Sequence, residues 1–175
     1  MAEMERTASS IREQLPLESP ETGLAIVDCK FVDSTLITVN RIPNHFMDAV
    51  FKRIDKENIR SLFLIEILEN TPLKKIVLQN GIKVRHVYLL ESSDTLCVVN
   101  VNKEDYEKDY SKIASVEDRI EYCINTSIHN INRAIQNPTD TINEVYLRSC
   151  RFENNRLTTE FTVPSTLLDS SEIDF

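Results

Sequence analysis

Residues 29–43 read CKFVDSTLITVNRIP, and residues 150–164 read CRFENNRLTTEFTVP. The two stretches align without a gap, with Cys, Phe, Leu, Thr and Pro at the same positions. Each has the pattern of a strand, a polar turn, a second strand and a proline that ends it. We therefore predict that the chain contains an internal repeat and that the repeated object is a β-hairpin.

The residues around the two turns support this interpretation. Ala25, Val27, Cys29 and Phe31 occupy alternate positions, and this period of two is typical of a half-buried strand. Asp33-Ser34 forms the first turn. Asn154-Asn155 forms the second, and asparagine tolerates the positive φ that a tight hairpin requires. A third hairpin is predicted over 82–101, because strand-forming residues flank Ser92-Ser93.

Apolar residues at helical spacing predict helices over 45–53, 56–69, 72–79 and from 115 to the Asn137-Pro138 step. Thr71 is the predicted N-cap of the third helix, and Gly81 ends it in the left-handed conformation. The 56–69 helix carries apolar residues on more than one stripe. It is therefore expected to touch both the sheet and another helix, as the hub of the core.

These elements predict a single α+β domain: an antiparallel sheet built from three β-hairpins, with helices packed on one face. The internal hairpin repeat spans 29–43 and 150–164. The predicted organisation is a flexible N-terminal arm over 1–22, the domain over 23–164, and a frayed acidic tail over 165–175.

Composition excludes some classes of function. The 175 residues include only two glycines, Gly23 and Gly81. A Walker loop or a dinucleotide fingerprint needs several glycines in one short segment, so that the backbone can approach phosphate. The net charge of −8 argues against a nucleic-acid binder, whose affinity comes from lysine and arginine. That charge suits a soluble protein or one that meets a basic partner.

No apolar run approaches the length of about 18 residues that a membrane span needs. Residues 1–12 are polar and charged, which is not the pattern of a signal peptide. We therefore expect a cytoplasmic protein with no membrane contact.

The sequence offers no reactive cluster. The cysteines have no CxxC pair and are predicted to be small buried hydrophobes; they stand at Cys29, Cys97, Cys123 and Cys150. The histidines lack a recognised metal-ligand spacing; they are His45, His86 and His129. Cys29 or Cys150 with a distant histidine would make a nucleophile and a base, but a thiol buried in a strand is normally inert. We predict no catalytic residue, cofactor or metal.

Two further segments, KKIVL at 74–78 and GIKVRHVY at 81–88, complete a pattern that resembles tandem-repeat hypothetical proteins of Bacteroidetes. In that family a helix precedes a hairpin like residues 151–163, and a second helix leads through glycine into a strand with a tyrosine. The resemblance covers about residues 24–163 and implies the fold but no activity. Such proteins carry an export signal, so the resemblance implies export if a signal has been removed.

The sequence favours a non-catalytic protein-interaction module, because a repeated hairpin can present a sheet edge to which a partner adds a strand. An acidic inhibitor or immunity-type protein that covers a basic partner belongs to this class. The alternative is a small-ligand carrier or sensor. Its pocket would lie between sheet and helices and would be lined by Phe63, Val87 and Tyr88.

Overall fold

The structure, a computed structural model, describes residues 2–20, 22–109, 113–136, 146–154 and 156–163. The predicted tail at 165–175, the Asn137-Pro138 helix end and the proline at 164 lie outside the described residues.

The described residues form α-helices, β-strands and one 3-10 helix over 103–107. Their order is α1 (Ala2–Glu13), β1 (Leu17–Glu18), β2 (Ala25–Val32), β3 (Thr35–Ile42), α2 (Asn44–Val50), α3 (Lys56–Glu69), α4 (Thr71–Asn80), β4 (Lys83–Leu90), β5 (Thr95–Val101), α5 (Val116–Gln136), β6 (Tyr146–Glu153) and β7 (Arg156–Thr162). The α+β class predicted from the sequence is therefore confirmed. The segment predicted as an N-terminal arm contains α1 and β1, and Ala8 of α1 is buried.

Five strands form one sheet in the order β1-β2-β3-β4-β5. The predicted hairpins β2–β3 and β4–β5 are antiparallel, but β3 and β4 pair in parallel. The prediction of a wholly antiparallel sheet was wrong at this junction. Three helices lie between β3 and β4, and such a crossover lets the chain return in the same direction, which a short turn does not.

The hairpin that carries Asn154 in its turn stands apart from that sheet. β6 and β7 form their own two-stranded antiparallel sheet, with α5 packed against β6. The prediction of one sheet built from three hairpins was wrong in this respect. Turn residues set the pairing within a hairpin, but they do not determine which strand the hairpin meets next.

The two aligned hairpins have the same pairing. From position 29 to position 150 is a shift of 121 residues, and each β2–β3 pair has a β6–β7 counterpart at this shift, for example Cys29↔Thr38 and Cys150↔Thr159. The register shift also falls at the same place, between residues 26 and 28 and between 147 and 149. A helix packs on the first strand in both cases, α1 on β2 and α5 on β6. A common origin of the two segments stays a prediction.

The helix α3 lies at the centre of the core, as expected. It buries six side chains, among them Ile59, Leu62 and Phe63, and it packs against β5, α4 and α5. Its side chains share one cluster with Tyr88 and Val99 of the sheet, and this helix-covered face also carries the buried Val84.

One predicted cap is corrected. The N-cap of α4 is Asn70, whose side-chain oxygen accepts a hydrogen bond from the Leu73 N–H at 3.0 Å, and not Thr71. An asparagine that directly precedes the first helical residue competes for the same role, and its side chain reaches the N3 amide. Gly81 ends the helix at φ 62°, as predicted.

Candidate functional site

The candidate binding surface is formed by α5 and the β6–β7 hairpin. α5 has 21 residues and is therefore about 31 Å long. Ile120, Ile124 and Ile128 recur along it at a spacing of four, so they share one side of the helix. This side borders a groove of about 550 Å³ between α2, α5 and β6. Ile120 is 55% exposed there, although apolar side chains of this size are ordinarily buried.

Long-range hydrogen bonds hold α5 in this place. The Asn132 side chain makes two bonds to the backbone of β6: its Nδ2 donates to the Cys150 carbonyl at 2.7 Å, and its Oδ1 accepts from the Cys150 N–H at 2.8 Å. At the other end of the helix, Asn58 Nδ2 donates to Asp118 at 2.9 Å. The Asn132 side chain thus occupies the outer edge of β6 as a neighbouring strand would.

Charges of both signs surround the groove. Lys52 and Arg53 lie on the α2 side, Glu117 and Glu121 on α5, and the β6 side adds Arg151 and Glu153. Isoleucines and Phe152 also line the groove. A surface of this composition accepts apolar side chains of another molecule while its rim stays hydrated.

The outer edge of β7 is the second feature of this surface. Leu157 is 60% exposed and Phe161 is 57% exposed, and both project from the face of the hairpin that also carries Cys150. Within the described residues, no strand and no side chain is hydrogen-bonded to the outer edge of β7. Unpaired backbone groups beside exposed apolar side chains are the elements that a sheet edge offers to an incoming strand.

Other strands of the fold have partners along the corresponding sides. On β5, the Arg60 Nε of α3 donates to the Val98 carbonyl at 3.1 Å. On β6, Asn132 binds Cys150. On the first hairpin, β3 is paired on both sides, and its Leu36 packs against the cluster around Val77 and Val84. Leu157, the counterpart of Leu36, has no such cover from the described residues.

The residues predicted to line a small-ligand pocket line neither the groove between α2, α5 and β6 nor a smaller groove at one end of the sheet. The rings of Phe63 and Tyr88 stack on each other at 4.0 Å between centroids, and both side chains are buried in the core. Val87 is half-buried on the opposite face of the sheet, because successive strand residues point to opposite sides. A smaller groove of about 370 Å³ lies at one end of the sheet, beside Lys83 and Arg85.

The four cysteines lie on four different elements of the fold, and His45 and His129 form a separate pair. Cys29 and Cys150 are buried, Cys97 is half-buried, and none of the four is in a disulfide. Cys123 is exposed, so its predicted burial was wrong; it lies on α5 away from the packed side. His45 and His129 stack at 5.3 Å near Arg133, which binds Glu18 at 2.6 Å. In the described part of the chain, no group of three or more His, Cys, Asp or Glu is placed to hold a metal ion.

Sequence reasoning missed Leu157 and Phe161 as site residues. The alignment of the repeats contained a signal, because it placed Leu157 on Leu36. It did not show that, among the described residues, the partners of Leu36 have no counterparts around Leu157. The isoleucine spacing of four on α5 was visible, but it is also the spacing of a buried helix face.

No protein-family model and no curated protein matches the chain. Among solved structures, a pilotin of the type 2 secretion system of Vibrio vulnificus is similar, with a TM-score of 0.48 and 11% identity over 62% of this chain and 92% of that one. A type II secretion system pilotin from Vibrio cholerae gives a TM-score of 0.45 and 21% identity over 58% and 86%. A Pseudomonas aeruginosa protein gives 0.43 and 12% over 59% and 93%. No helix in the described part of the chain combines the length and apolarity needed to cross a bilayer.

Proposed function

We propose that this protein is a non-catalytic protein-interaction module that binds an extended segment of a partner by strand addition at β7. The observation that carries the proposal is the outer edge of β7, which is unpaired within the described residues and flanked by the exposed Leu157 and Phe161. A partner strand would gain backbone hydrogen bonds from this edge and apolar contacts from these two side chains.

The protonation of Cys29 and His86 supports a binding role over a catalytic one for this pair. Burial together with the Asp28 carboxylate raises the pKa of the Cys29 thiol, and burial lowers the pKa of His86 to about 4. A nucleophile needs the opposite shift at the thiol, and a base needs a pKa nearer to neutrality. Both groups are therefore neutral near pH 7 and act as parts of the core.

The net charge of −8 favours a basic partner, as for an acidic inhibitor or an immunity-type protein. The small-ligand alternative has weaker support from its predicted residues, because Phe63 and Tyr88 fill the core by packing on each other.

Affinity capture from lysate of the native host, with three versions of the protein as bait, tests the proposal. The double variant Leu157→Glu/Phe161→Glu places charge on the β7 surface. Val116→Glu is the matched control, because Val116 is 62% exposed and belongs to α5, not to β7. We expect a protein that the wild type and Val116→Glu retain and the double variant loses.

Circular dichroism and thermal melting of each bait establish that it is folded before capture. A partner that is retained equally by all three folded baits would show that β7 is not the binding surface. A fourth bait, Ile124→Glu, changes the groove instead. A partner that is lost only from this bait would assign binding to α5 and not to β7.

A further inference from the structure

We propose that the added strand runs parallel to β7, with a hydrogen-bonding side chain opposite Thr159 and apolar side chains opposite Leu157 and Phe161. This inference rests on the proposed function and specifies the orientation and side-chain pattern of the partner strand. We derive this pattern from the first hairpin, because β3 is the strand equivalent to β7 and already pairs with a strand on its other side.

That neighbour is β4, which pairs with β3 in parallel along eight residues. On the helix-covered face the opposed residues are Leu36↔Val84, Thr38↔His86 and Asn40↔Tyr88. The three β4 residues alternate along the strand, so each meets one β3 residue on the same face.

The shift of 121 positions maps these β3 residues onto β7. Leu36 corresponds to Leu157 and Thr38 to Thr159, with the residue type unchanged, while Asn40 corresponds to Phe161. The partner strand therefore needs an apolar residue opposite Leu157. Opposite Phe161, an aromatic or other apolar residue would bury more apolar surface than Tyr88 buries against Asn40 in the first hairpin.

The central pair supplies the polar element of the pattern. Thr38 Oγ1 and His86 Nδ1 are 2.6 Å apart, and Thr38 is only 7% exposed. Thr38 Oγ1 also accepts a hydrogen bond from Asn40 Nδ2 at 3.1 Å, whereas His86 Nδ1 has Thr38 as its partner. Because a buried ring nitrogen is costly without a partner, this pair favours one register of β4 against β3 over a register shifted by two residues. Thr159 is exposed, and an incoming strand that covers it must offer a donor or acceptor in the same way.

A peptide with the sequence of residues 82–91, IKVRHVYLLE, is the probe for this pattern. Two versions carry a nitroxide spin label, one at the N-terminus and one at the C-terminus, and each is added to isotope-labelled protein. For a parallel strand, the N-terminal label broadens the amide signals near Leu157 and the C-terminal label those near Phe161.

The hydrogen-bonding pair is tested by a double-mutant cycle. Replacing the peptide histidine by valine is expected to weaken binding to the wild-type protein by about tenfold, and to the Thr159→Val protein by much less. Thr159→Val keeps the shape of the side chain and removes its hydroxyl. Its fold is checked by its amide spectrum.

The spin-label and double-mutant results together support or overturn the inference. Broadening in parallel order together with coupling between the two substitutions supports it. Broadening in the reverse order overturns the parallel orientation but leaves strand addition at β7 intact. Broadening at β3, or no binding at β7, overturns the inference, while the capture experiment still judges the proposed function separately.

A second copy of the chain is an alternative occupant of the β7 edge. Antiparallel pairing of two β7 strands centred on Thr159 would place Leu157 of each copy opposite Phe161 of the other. Sedimentation of the protein alone distinguishes this case. A dimer that the Leu157→Glu/Phe161→Glu variant abolishes would overturn the inference of a parallel partner strand.

Discussion

At the scale of single residues, one row of side chains crosses the first sheet. Cys29, Thr38 and His86 stand opposite one another on β2, β3 and β4. His86 donates to or accepts from Thr38 through Nδ1, while none of the described residues gives its buried Nε2 a hydrogen-bond partner. Protonation would place an unpaired positive charge in the core, which is why burial lowers the pKa of this imidazole to about 4.

This shift predicts a loss of stability in acid. Between pH 6.5 and 4 the unfolded chain protonates His86 while the folded chain does not, so the free energy of unfolding falls as the pH falls. From pH 7 to 4.5 the expected contribution of His86 is about 2–3 kcal/mol. Denaturant titrations at several pH values measure it.

The control is His86→Gln, which has no titrating group at this position but can still hydrogen-bond with Thr38. Carboxylates and the buried His129, whose pKa is also lowered by burial, titrate in both proteins and cancel in the comparison. Equal pH dependence of the wild type and His86→Gln would contradict the assignment.

At the scale of secondary-structure elements, the important features are how helices end and which strand edges are covered by side chains. Helix α4 begins at an asparagine cap and ends at a glycine in the left-handed conformation. The edges of β5 and β6 each carry a side chain from a neighbouring helix, Arg60 and Asn132 respectively. Such cover discourages unwanted strand pairing, and its absence around β7 in the described chain leaves that edge open to an added strand.

The corrected helix cap gives a prediction at this scale. Asn70→Ala removes the acceptor of the Leu73 N–H and should lower the free energy of unfolding by about 1 kcal/mol. Thr71→Ala is the matched control and should have a smaller effect, because Thr71 is not the cap. Urea midpoints of the two variants measure the difference. A larger loss from Thr71→Ala than from Asn70→Ala would restore the cap that the sequence suggested.

The local elements were predictable, and their assembly was not. Alternation around Cys29 and asparagine at the second turn are local signals, and both hairpins formed where these signals lie. The parallel β3–β4 contact depends on how α2, α3 and α4 carry the chain across the sheet. The bond from Asn132 to Cys150 joins residues whose relation emerges only when α5 packs on β6. The exposure of Leu157 depends on which elements surround β7, and alternation along the strand is the same whether they are present or not.

At the scale of the whole molecule, the packed core around α3 and the exposed surface at β7 have different roles. α3 connects the sheet, α4 and α5 through its buried side chains, and the stacking of Phe63 on Tyr88 joins the helix layer to β4. The second helix–hairpin unit repeats the pairing of the first but leaves the outer edge of β7 unpaired within the described residues. We infer that the first unit stabilises the fold and the second presents a surface to a partner.

The core makes a direct prediction. Leu62→Ala or Phe63→Ala should lower the free energy of unfolding by about 2–5 kcal/mol, because both side chains are buried and their truncation leaves a cavity. Leu157→Ala, with an exposed side chain, should change it by less than about 0.5 kcal/mol. Denaturant midpoints measure all three. Similar small losses in all three variants would show that α3 is not the hub.

Hydrogen exchange of the complex shows directly whether a partner adds a strand to β7. The protein captured by the wild type and lost by Leu157→Glu/Phe161→Glu is purified, and amide exchange of the chain is compared with and without it. If a strand adds to β7, exchange across 156–162 becomes slower, while exchange in the β5 edge strand stays unchanged. Unchanged exchange in β7, with slowing confined to α5 or to β5, would contradict it.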